Sequence, residues 1–172
     1  MNTKKLIKKI DIDKRIKELG EEISKDYEGK DLVIIGVLKG SFIFLADLVR
    51  QITVPHIIDF IQVSSYNSKT FSSGRIKFIK DITEKINGKE VLLIEDIIDT
   101  GLTVSAILSH IARNYEVSSI NVCSLLDKPS RRKVYFIPDY IGFSIDNDFV
   151  IGYGLDYDQK YRSLPYILKV IE

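Results

Sequence analysis

The sequence predicts an α/β protein whose central, mostly parallel sheet is flanked by helices. Strand-like apolar segments alternate with helical patterns along the chain, which is the order that favours a parallel sheet. The segment at 31–38 is an almost continuous apolar run, as expected of a strand that is covered on both faces. The chain has 172 residues, which suffice for one domain with a sizeable core.

Apolar residues at helical spacing predict an amphipathic first helix over about residues 11–27, with Asp11 as its N-cap. The lysines before it are interpreted as a solvated helix face. The remaining predicted elements are, in order, a strand at 31–38, a helix at 42–51, a strand at 57–63 with a hairpin partner at 75–80, a strand at 91–94, a helix at 103–114, and strands at 119–125, 140–145, 149–153 and 166–171.

A polar loop over residues 64–75 separates the two strands of the predicted hairpin. A loop of this length inside a compact domain is commonly a lid or a binding loop, and the alternative is an unstructured hairpin tip. Ser65 and Tyr66 lie at its start. As a lid, it would close over a ligand and exclude water.

Composition excludes several classes of function. The formal net charge of +1 provides no positive field for nucleic acid or for a membrane surface. No stretch approaches the roughly 18 apolar residues of a membrane span, and the start of the chain does not resemble a signal peptide. The single cysteine, Cys123, falls in an apolar strand pattern and is expected to be a buried, inert thiol. These features predict a cytoplasmic protein.

The loop that follows the strand at 91–94 predicts a phosphate site. It runs Asp99-Thr100-Gly101-Leu102-Thr103 and leads directly into a helix. The start of a helix leaves backbone N–H groups unpaired and carries partial positive charge, so it attracts phosphate. Gly101 permits close backbone approach, and the threonines add hydroxyl donors. The alternative is an acidic strand end that an ordinary threonine caps.

Two adjacent carboxylates, Glu95 and Asp96, end the same strand. They would repel each other and a phosphate unless a hard cation with retained waters lay between them, which suits Mg²⁺. They could also accept hydrogen bonds from sugar hydroxyls. The expected ligand is therefore a phosphorylated sugar with a free diol, accompanied by magnesium.

The segment Glu95–Thr103 resembles the phosphoribosyl-pyrophosphate motif of type I phosphoribosyltransferases, and its Ile-Ile-Asp-Thr-Gly form resembles the hypoxanthine-guanine branch. The resemblance implies a Mg²⁺-dependent enzyme of purine salvage. It would transfer the 5-phosphoribosyl group from 5-phosphoribosyl-1-pyrophosphate to N9 of hypoxanthine or guanine, giving IMP or GMP and pyrophosphate. It further implies the type I fold in a single domain over 1–172, with a core at about 28–140 and a hood from about 1–15 plus 141–172. A homodimer or homotetramer is implied by the resemblance alone.

Two basic segments match the family at the expected places. Lys39 and Gly40 form the turn after the strand at 31–38, and the resemblance makes this turn the pyrophosphate loop. Lys128 matches the lysine that contacts the purine 6-oxo group, and Arg132 matches an arginine near pyrophosphate. Taken without the resemblance, the basic run around Lys128 is a solvated turn.

The segment from Phe149 to Arg162 completes the match. Phe149 would stack on the purine, although a core aromatic is the alternative, and the Val150 backbone would contact the base edge. Asp156 resembles a second magnesium ligand beside Glu95 and Asp96. Arg162 resembles an arginine that approaches pyrophosphate.

The resemblance places Asp99 between the phosphate loop and the purine pocket, so Asp99 is the candidate general base that takes the purine N7 proton. Two other functions remain open. One is a sister enzyme that prefers xanthine, because backbone groups mainly contact the purine 2-position. The other is a non-enzymatic, nucleotide-sensing regulator that binds RNA, which the near-neutral charge disfavours.

Overall fold

The computed structural model describes residues 1–65 and 76–171. The lid predicted at 64–75 therefore lies almost entirely outside the described residues. The elements in chain order are β1 (Asn2–Ile7), α1 (Lys9–Asp26), β2 (Leu32–Leu38), α2 (Phe42–Val49), β3 (His56–Ser65), β4 (Ile76–Lys80), β5 (Glu90–Ile98), α3 (Leu102–Asn114), β6 (Ser119–Asp127), a 3₁₀ turn (Pro129–Arg131), β7 (Tyr140–Ser144), β8 (Val150–Ile151) and β9 (Ile167–Ile171).

Six strands form the main sheet in the order β4-β3-β2-β5-β6-β7. All neighbouring pairs are parallel except β3 with β4, which is the predicted hairpin. β2 and β5 are the two central strands and pair with each other, with Gly36 opposite Ile94. The predicted α/β fold with a mostly parallel sheet is confirmed.

Alternate residues of the central strands enter two separate cores, as the two-residue period of a strand requires. Ile34 joins Ile12 of α1 and Leu45 of α2 on one face. Val33 and its partners join Val104 of α3 on the other face. Both faces of the sheet are therefore covered by helices, which explains the continuous apolar runs. None of the helices in the described ranges is long and apolar enough to span a membrane.

Lys4 and Lys5 lie in a strand, so their interpretation as a helix face was wrong, whereas Lys9 is the exposed first residue of α1. β1 pairs with β9, and β9 pairs with β8, in a small antiparallel sheet. Lys4 and Lys5 are exposed, whereas Ile7 enters the main core. The partner that makes this segment a strand lies at the far end of the chain, which local periodicity does not reveal.

Several element boundaries also differ from the sequence prediction, among them the start of α1 and the end of β5. α1 begins at Lys9, and its N-cap residue Lys8 makes no side-chain capping hydrogen bond. Asp11 lies within the first turn, where its negative charge interacts favourably with the helix dipole, but it is not the N-cap residue. β5 continues beyond residue 94, because Glu95 still pairs with Ser124 of β6.

Candidate active site

The carboxyl ends of β2 and β5 open into a polar cavity of about 300 Å³. Parallel strands place their carboxyl ends at one edge of the sheet, which is where ligands bind in such folds. The cavity gathers predicted residues from three separate segments. Its polar lining includes Lys39, Gly40, Glu95, Asp96, Asp156 and Arg162.

Close backbone packing builds the floor of this cavity. A Cβ atom at Gly40 would lie 1.6 Å from Oδ2 of Asp96, so any other residue at this position would displace the Asp96 carboxylate. A Cβ at Gly154 would lie 2.0 Å from the Gly40 carbonyl oxygen, and Gly154 has a φ of 100°. Gly154 is a contributor that the sequence analysis missed, although the Gly-Tyr-Gly pattern around Tyr153 carried the signal.

The side-chain carboxyl groups of Glu95 and Asp96 both have raised pKa values. Burial raises the pKa of Glu95 well above its usual range, and the neighbouring charge of Asp96 adds to the effect. Burial raises the pKa of Asp96 to about 6, although a hydrogen bond from the Ile97 N–H and the charge of Arg162 oppose the increase. A cation or a donor-rich ligand would therefore be favoured beside this pair.

Arg162 and Asp156 belong to one loop and line the cavity. Their side chains also bind each other and the backbone of this loop. Nη1 of Arg162 donates to the Gly154 carbonyl oxygen at 2.8 Å. Nη2 of Arg162 lies 2.8 Å from Oδ1 of Asp156, whose Oδ2 accepts from the Gln159 N–H at 2.8 Å. These contacts fix both charged groups beside the Gly40 turn before any ligand binds.

The carboxylates fit magnesium bound together with a phosphate ligand. Within residues 1–65 and 76–171, no group of three or more His, Cys, Asp or Glu side chains is arranged to hold a metal ion. Magnesium usually takes only one or two carboxylates and completes its shell with water and substrate phosphate oxygens. Glu95, Asp96 and Asp156 all line the cavity and offer oxygens of that kind.

A second cavity of about 90 Å³ lies at the predicted phosphate loop. Residues 99–101 and Thr103 line it, and Gly101 immediately before α3 has a φ of 80°. Leu102 is the first residue of α3. Glu95, Ile97 and Thr103 line both cavities, so the phosphate loop and the Lys39 turn face two adjacent cavities, which together form the cleft.

Asp99 lies between two cations at the other side of this loop. Nε of Arg131 donates to its Oδ1 at 3.0 Å, and Nζ of Lys128 lies 3.9 Å from its Oδ2. Lys128 is only 6% exposed, and this burial lowers its pKa while the charge of Asp99 opposes the change. The structure therefore brings Lys128 and Asp99 together, as the resemblance implied, and adds Arg131, which the sequence analysis did not single out.

Arg132 does not line the cavity that contains Lys39 and Arg162. Its Nη1 donates to the carbonyl oxygens of Ile98 at 2.8 Å and Asp99 at 2.6 Å, and its Nη2 pairs with Asp127. The guanidinium is thus engaged by the loop that carries Asp99. The contact of Arg132 with pyrophosphate stays a prediction, since its guanidinium lies outside the cavity of Lys39 and Arg162.

Phe149 is 53% exposed, which argues against the core-aromatic alternative. Its ring meets the ring of Tyr157 edge-on, with centroids 5.8 Å apart. Tyr157, itself 51% exposed, is a second surface aromatic that the sequence analysis did not assign. Val150 pairs with Lys169 in the small sheet. Ser65 is the last residue of β3, and Tyr66 lies outside the described residues.

Comparison with known proteins identifies the family of this chain. Residues 6–158 match the model of the phosphoribosyl transferase domain. The chain is 48% identical over 168 residues to hypoxanthine phosphoribosyltransferase of Escherichia coli strain K12, covering 96% of this chain and 94% of that protein. It is 46% identical over 162 residues to hypoxanthine-guanine phosphoribosyltransferase of Staphylococcus aureus strain Mu50, covering 94% and 90% of the two chains.

A solved structure agrees with these sequence matches. The crystal structure of a hypoxanthine-guanine phosphoribosyltransferase from Bacillus anthracis superimposes with a TM-score of 0.93 at 45% identity, and the match covers 98% of each chain. The resemblance first recognised in the segment Glu95–Thr103 is therefore confirmed over nearly the whole length. The chain belongs to the phosphoribosyltransferase family.

Proposed function

We propose that the protein is a purine salvage enzyme that transfers the 5-phosphoribosyl group from 5-phosphoribosyl-1-pyrophosphate to N9 of hypoxanthine or guanine. The products are IMP or GMP and pyrophosphate. The observation that carries the proposal is this cleft of two adjacent cavities: Glu95 and Thr103 line both the cavity at the phosphate loop and the cavity of Lys39 and Arg162. The relatives named above carry the same activity in their names.

Different residues of the cleft bind different parts of the sugar-phosphate substrate. The start of α3, at residues 100–103, attracts the 5′-phosphate through its N–H groups and hydroxyls. Glu95 and Asp96 accept hydrogen bonds from the ribose diol. The cations of Lys39 and Arg162 attract the pyrophosphate and stabilise the negative charge that gathers on it as the bond to the anomeric carbon breaks.

Magnesium, held by Glu95, Asp96 and Asp156, would add positive charge next to the pyrophosphate when it is bound. The anomeric carbon becomes oxocarbenium-like during the substitution and would react with water if water had access. We assign the exclusion of water to the lid at 64–75. A cytoplasmic location and a homodimer or homotetramer complete the proposal on the strength of the family.

Lys128 and Asp99 provide the purine end of the cleft. The Lys128 ammonium donates to the 6-oxo oxygen of hypoxanthine or guanine, whereas the 6-amino group of adenine is itself a donor and is refused. Asp99 takes the N7 proton as N9 attacks the sugar. The ring of Phe149 stacks on the base, and the Val150 backbone contacts its edge.

Steady-state rates with hypoxanthine, guanine, xanthine and adenine at a fixed, saturating donor concentration test the substrate. We expect turnover with hypoxanthine and guanine and none with adenine. A preference for xanthine above tenfold would establish the sister enzyme instead. An RNA-binding regulator would show no turnover with any base; the net charge of +1 gives that function no support.

The variant Asp99→Asn tests the mechanism. The amide preserves the shape of the side chain but does not accept the proton, so kcat should fall by about 10²–10⁴-fold, the usual contribution of a general base. Binding of the phosphoribosyl donor, measured by calorimetry, should be retained because other residues bind it. Unchanged turnover would remove Asp99 from this role.

A further inference from the structure

Three cations of the segment 128–132 contact the candidate base Asp99 or its backbone. The 3₁₀ turn at Pro129–Arg131 creates this arrangement, because the Arg131 N–H donates to the Lys128 carbonyl oxygen at 3.1 Å and reverses the chain. Lys128, Arg131 and Arg132 consequently approach the same loop from different sides. Each one makes a different contact.

The backbone of the loop is fixed first. The Lys128 N–H donates to the Ile98 carbonyl oxygen at 3.0 Å, and Arg132 donates to the carbonyl oxygens of Ile98 and Asp99. Arg132 is held in turn by Asp127, a pair in which the side chains are only 14% and 5% exposed. The freedom that remains at Asp99 is the rotation of its side chain.

Arg131 restricts that rotation. Its Nε binds Oδ1 of Asp99 at 3.0 Å, while Oδ2 faces the Lys128 ammonium at 3.9 Å. The two carboxylate oxygens are therefore not equivalent. N7 and the 6-oxo oxygen lie on the same edge of a purine, so a base whose oxygen binds Lys128 presents N7 toward Oδ2.

We propose that Arg131 is a positioning residue: it holds Oδ1 of Asp99 so that Oδ2 is directed at N7 of a purine bound by Lys128. The inference rests on the proposed function, in which Asp99 accepts the N7 proton. The Arg131 and Asp99 side chains are 46% and 39% exposed, and an exposed ion pair adds little to stability. Orientation of the base is thus the effect that this pair is suited to provide.

The variant Arg131→Met keeps an unbranched apolar side chain and removes the guanidinium, and with it the hydrogen bond to Asp99. We expect kcat/KM for hypoxanthine to fall roughly tenfold, since small errors in the position of a catalytic group are costly, while KM for the phosphoribosyl donor stays unchanged. Arg131→Lys should recover part of the loss. The matched control is Lys133→Met, which removes an equal charge from an exposed side chain two residues further along.

A double-mutant cycle with Asp99→Asn separates orientation of the base from a general structural role. If Arg131 acts through Asp99, adding Arg131→Met to Asp99→Asn should cause no further loss. An equal tenfold loss in both backgrounds would overturn the proposal, as would an unchanged rate for Arg131→Met alone. Full turnover by Asp99→Asn would instead overturn the assignment of the base and this inference together, so the two failures are distinguishable.

Discussion

At the scale of single residues, Asp96 shows how a binding site is built at a cost in stability. Its carboxylate packs on Gly40 at the end of a buried strand, and burial raises its pKa to about 6. A folded-state pKa above the usual value means that the charged form is less favourable in the folded protein than in the unfolded chain. At neutral and higher pH, Asp96 therefore lowers the free energy of unfolding.

The variant Asp96→Asn should consequently be more stable than the wild type and less active. Each pKa unit is worth about 1.4 kcal/mol, so a pKa raised to about 6 should give a gain in the free energy of unfolding of about 3 kcal/mol at pH 8. The gain should disappear below about pH 4, where the acid is protonated in both states. Urea denaturation at the two pH values measures the effect; an equal or lower stability of the variant at pH 8 would contradict it.

The sequence could predict that residues lie close together where neighbours in space are also neighbours along the chain. Glu95 and Asp96 lie on β5 and Asp99 directly follows it, so a local sequence pattern shows that the three residues are close. Arg131 meets Asp99 across 32 positions, and Gly154 packs on Gly40 from the far end of the chain. Long-range contacts of this kind leave no local periodicity, which is why both residues were missed.

At the scale of elements, a buried carboxylate joins β3 to the chain that follows β4. Asp59 accepts hydrogen bonds from the backbone N–H groups of Phe60, Thr83 and Glu84, and Lys80 lies 3.0 Å away. Burial alone would raise the pKa of Asp59, but the hydrogen bonds from Glu84, Thr83 and Phe60 outweigh it and lower the pKa to about 2. The ionised form thus stabilises this edge of the sheet.

The stabilisation by Asp59 should depend on pH in the opposite sense to that of Asp96. Because its folded-state pKa is lowered, its contribution is complete above about pH 5 and is lost as the pH falls from about 4 to 2. We expect Asp59→Asn to lower the free energy of unfolding by about 2 kcal/mol at pH 7, and the difference from the wild type to shrink toward pH 2. Chemical denaturation across this range is the measurement. A difference that does not change with pH would show that the amide loses shape complementarity rather than charge.

Element boundaries were predictable to within one residue where burial is continuous, as in β2, or follows the helical period, as in α3. They were not predictable where pairing with a distant strand determines the structure. β1 carries four polar residues among six, and only its antiparallel partner β9 makes it a strand. β5 was predicted to end before Glu95 because carboxylates are rare in buried strands, yet β6 pairs with it through Ile98.

At the scale of the whole molecule, both sheets contribute residues to the proposed cleft. Lys39, Glu95 and Asp96, which bind the sugar and its phosphates in the proposed function, belong to the carboxyl edge of the main sheet. Phe149 and Val150, which bind the purine, are held by the small sheet: the Val170 N–H donates to the Phe149 carbonyl oxygen at 2.8 Å, and Val150 pairs with Lys169. The first and last strands of the chain thus support Phe149 and Val150, whereas Lys128 and Asp99 belong to loops of the main sheet. The chain that carries Asp156 and Arg162 lies between β8 and β9 but packs on the Gly40 turn of the main sheet through Gly154.

Deleting residues 2–7 should therefore affect the two substrates unequally. The deletion removes β1 and leaves β9 without its partner on one side, which loosens the strand that holds Phe149. We expect KM for hypoxanthine to rise roughly tenfold, as for a misplaced binding group, and KM for the phosphoribosyl donor to change less than about twofold. Lys4→Ala, which changes an exposed side chain and keeps the strand, is the control. Equal increases in both KM values would mean that the small sheet supports the whole cleft rather than its purine end.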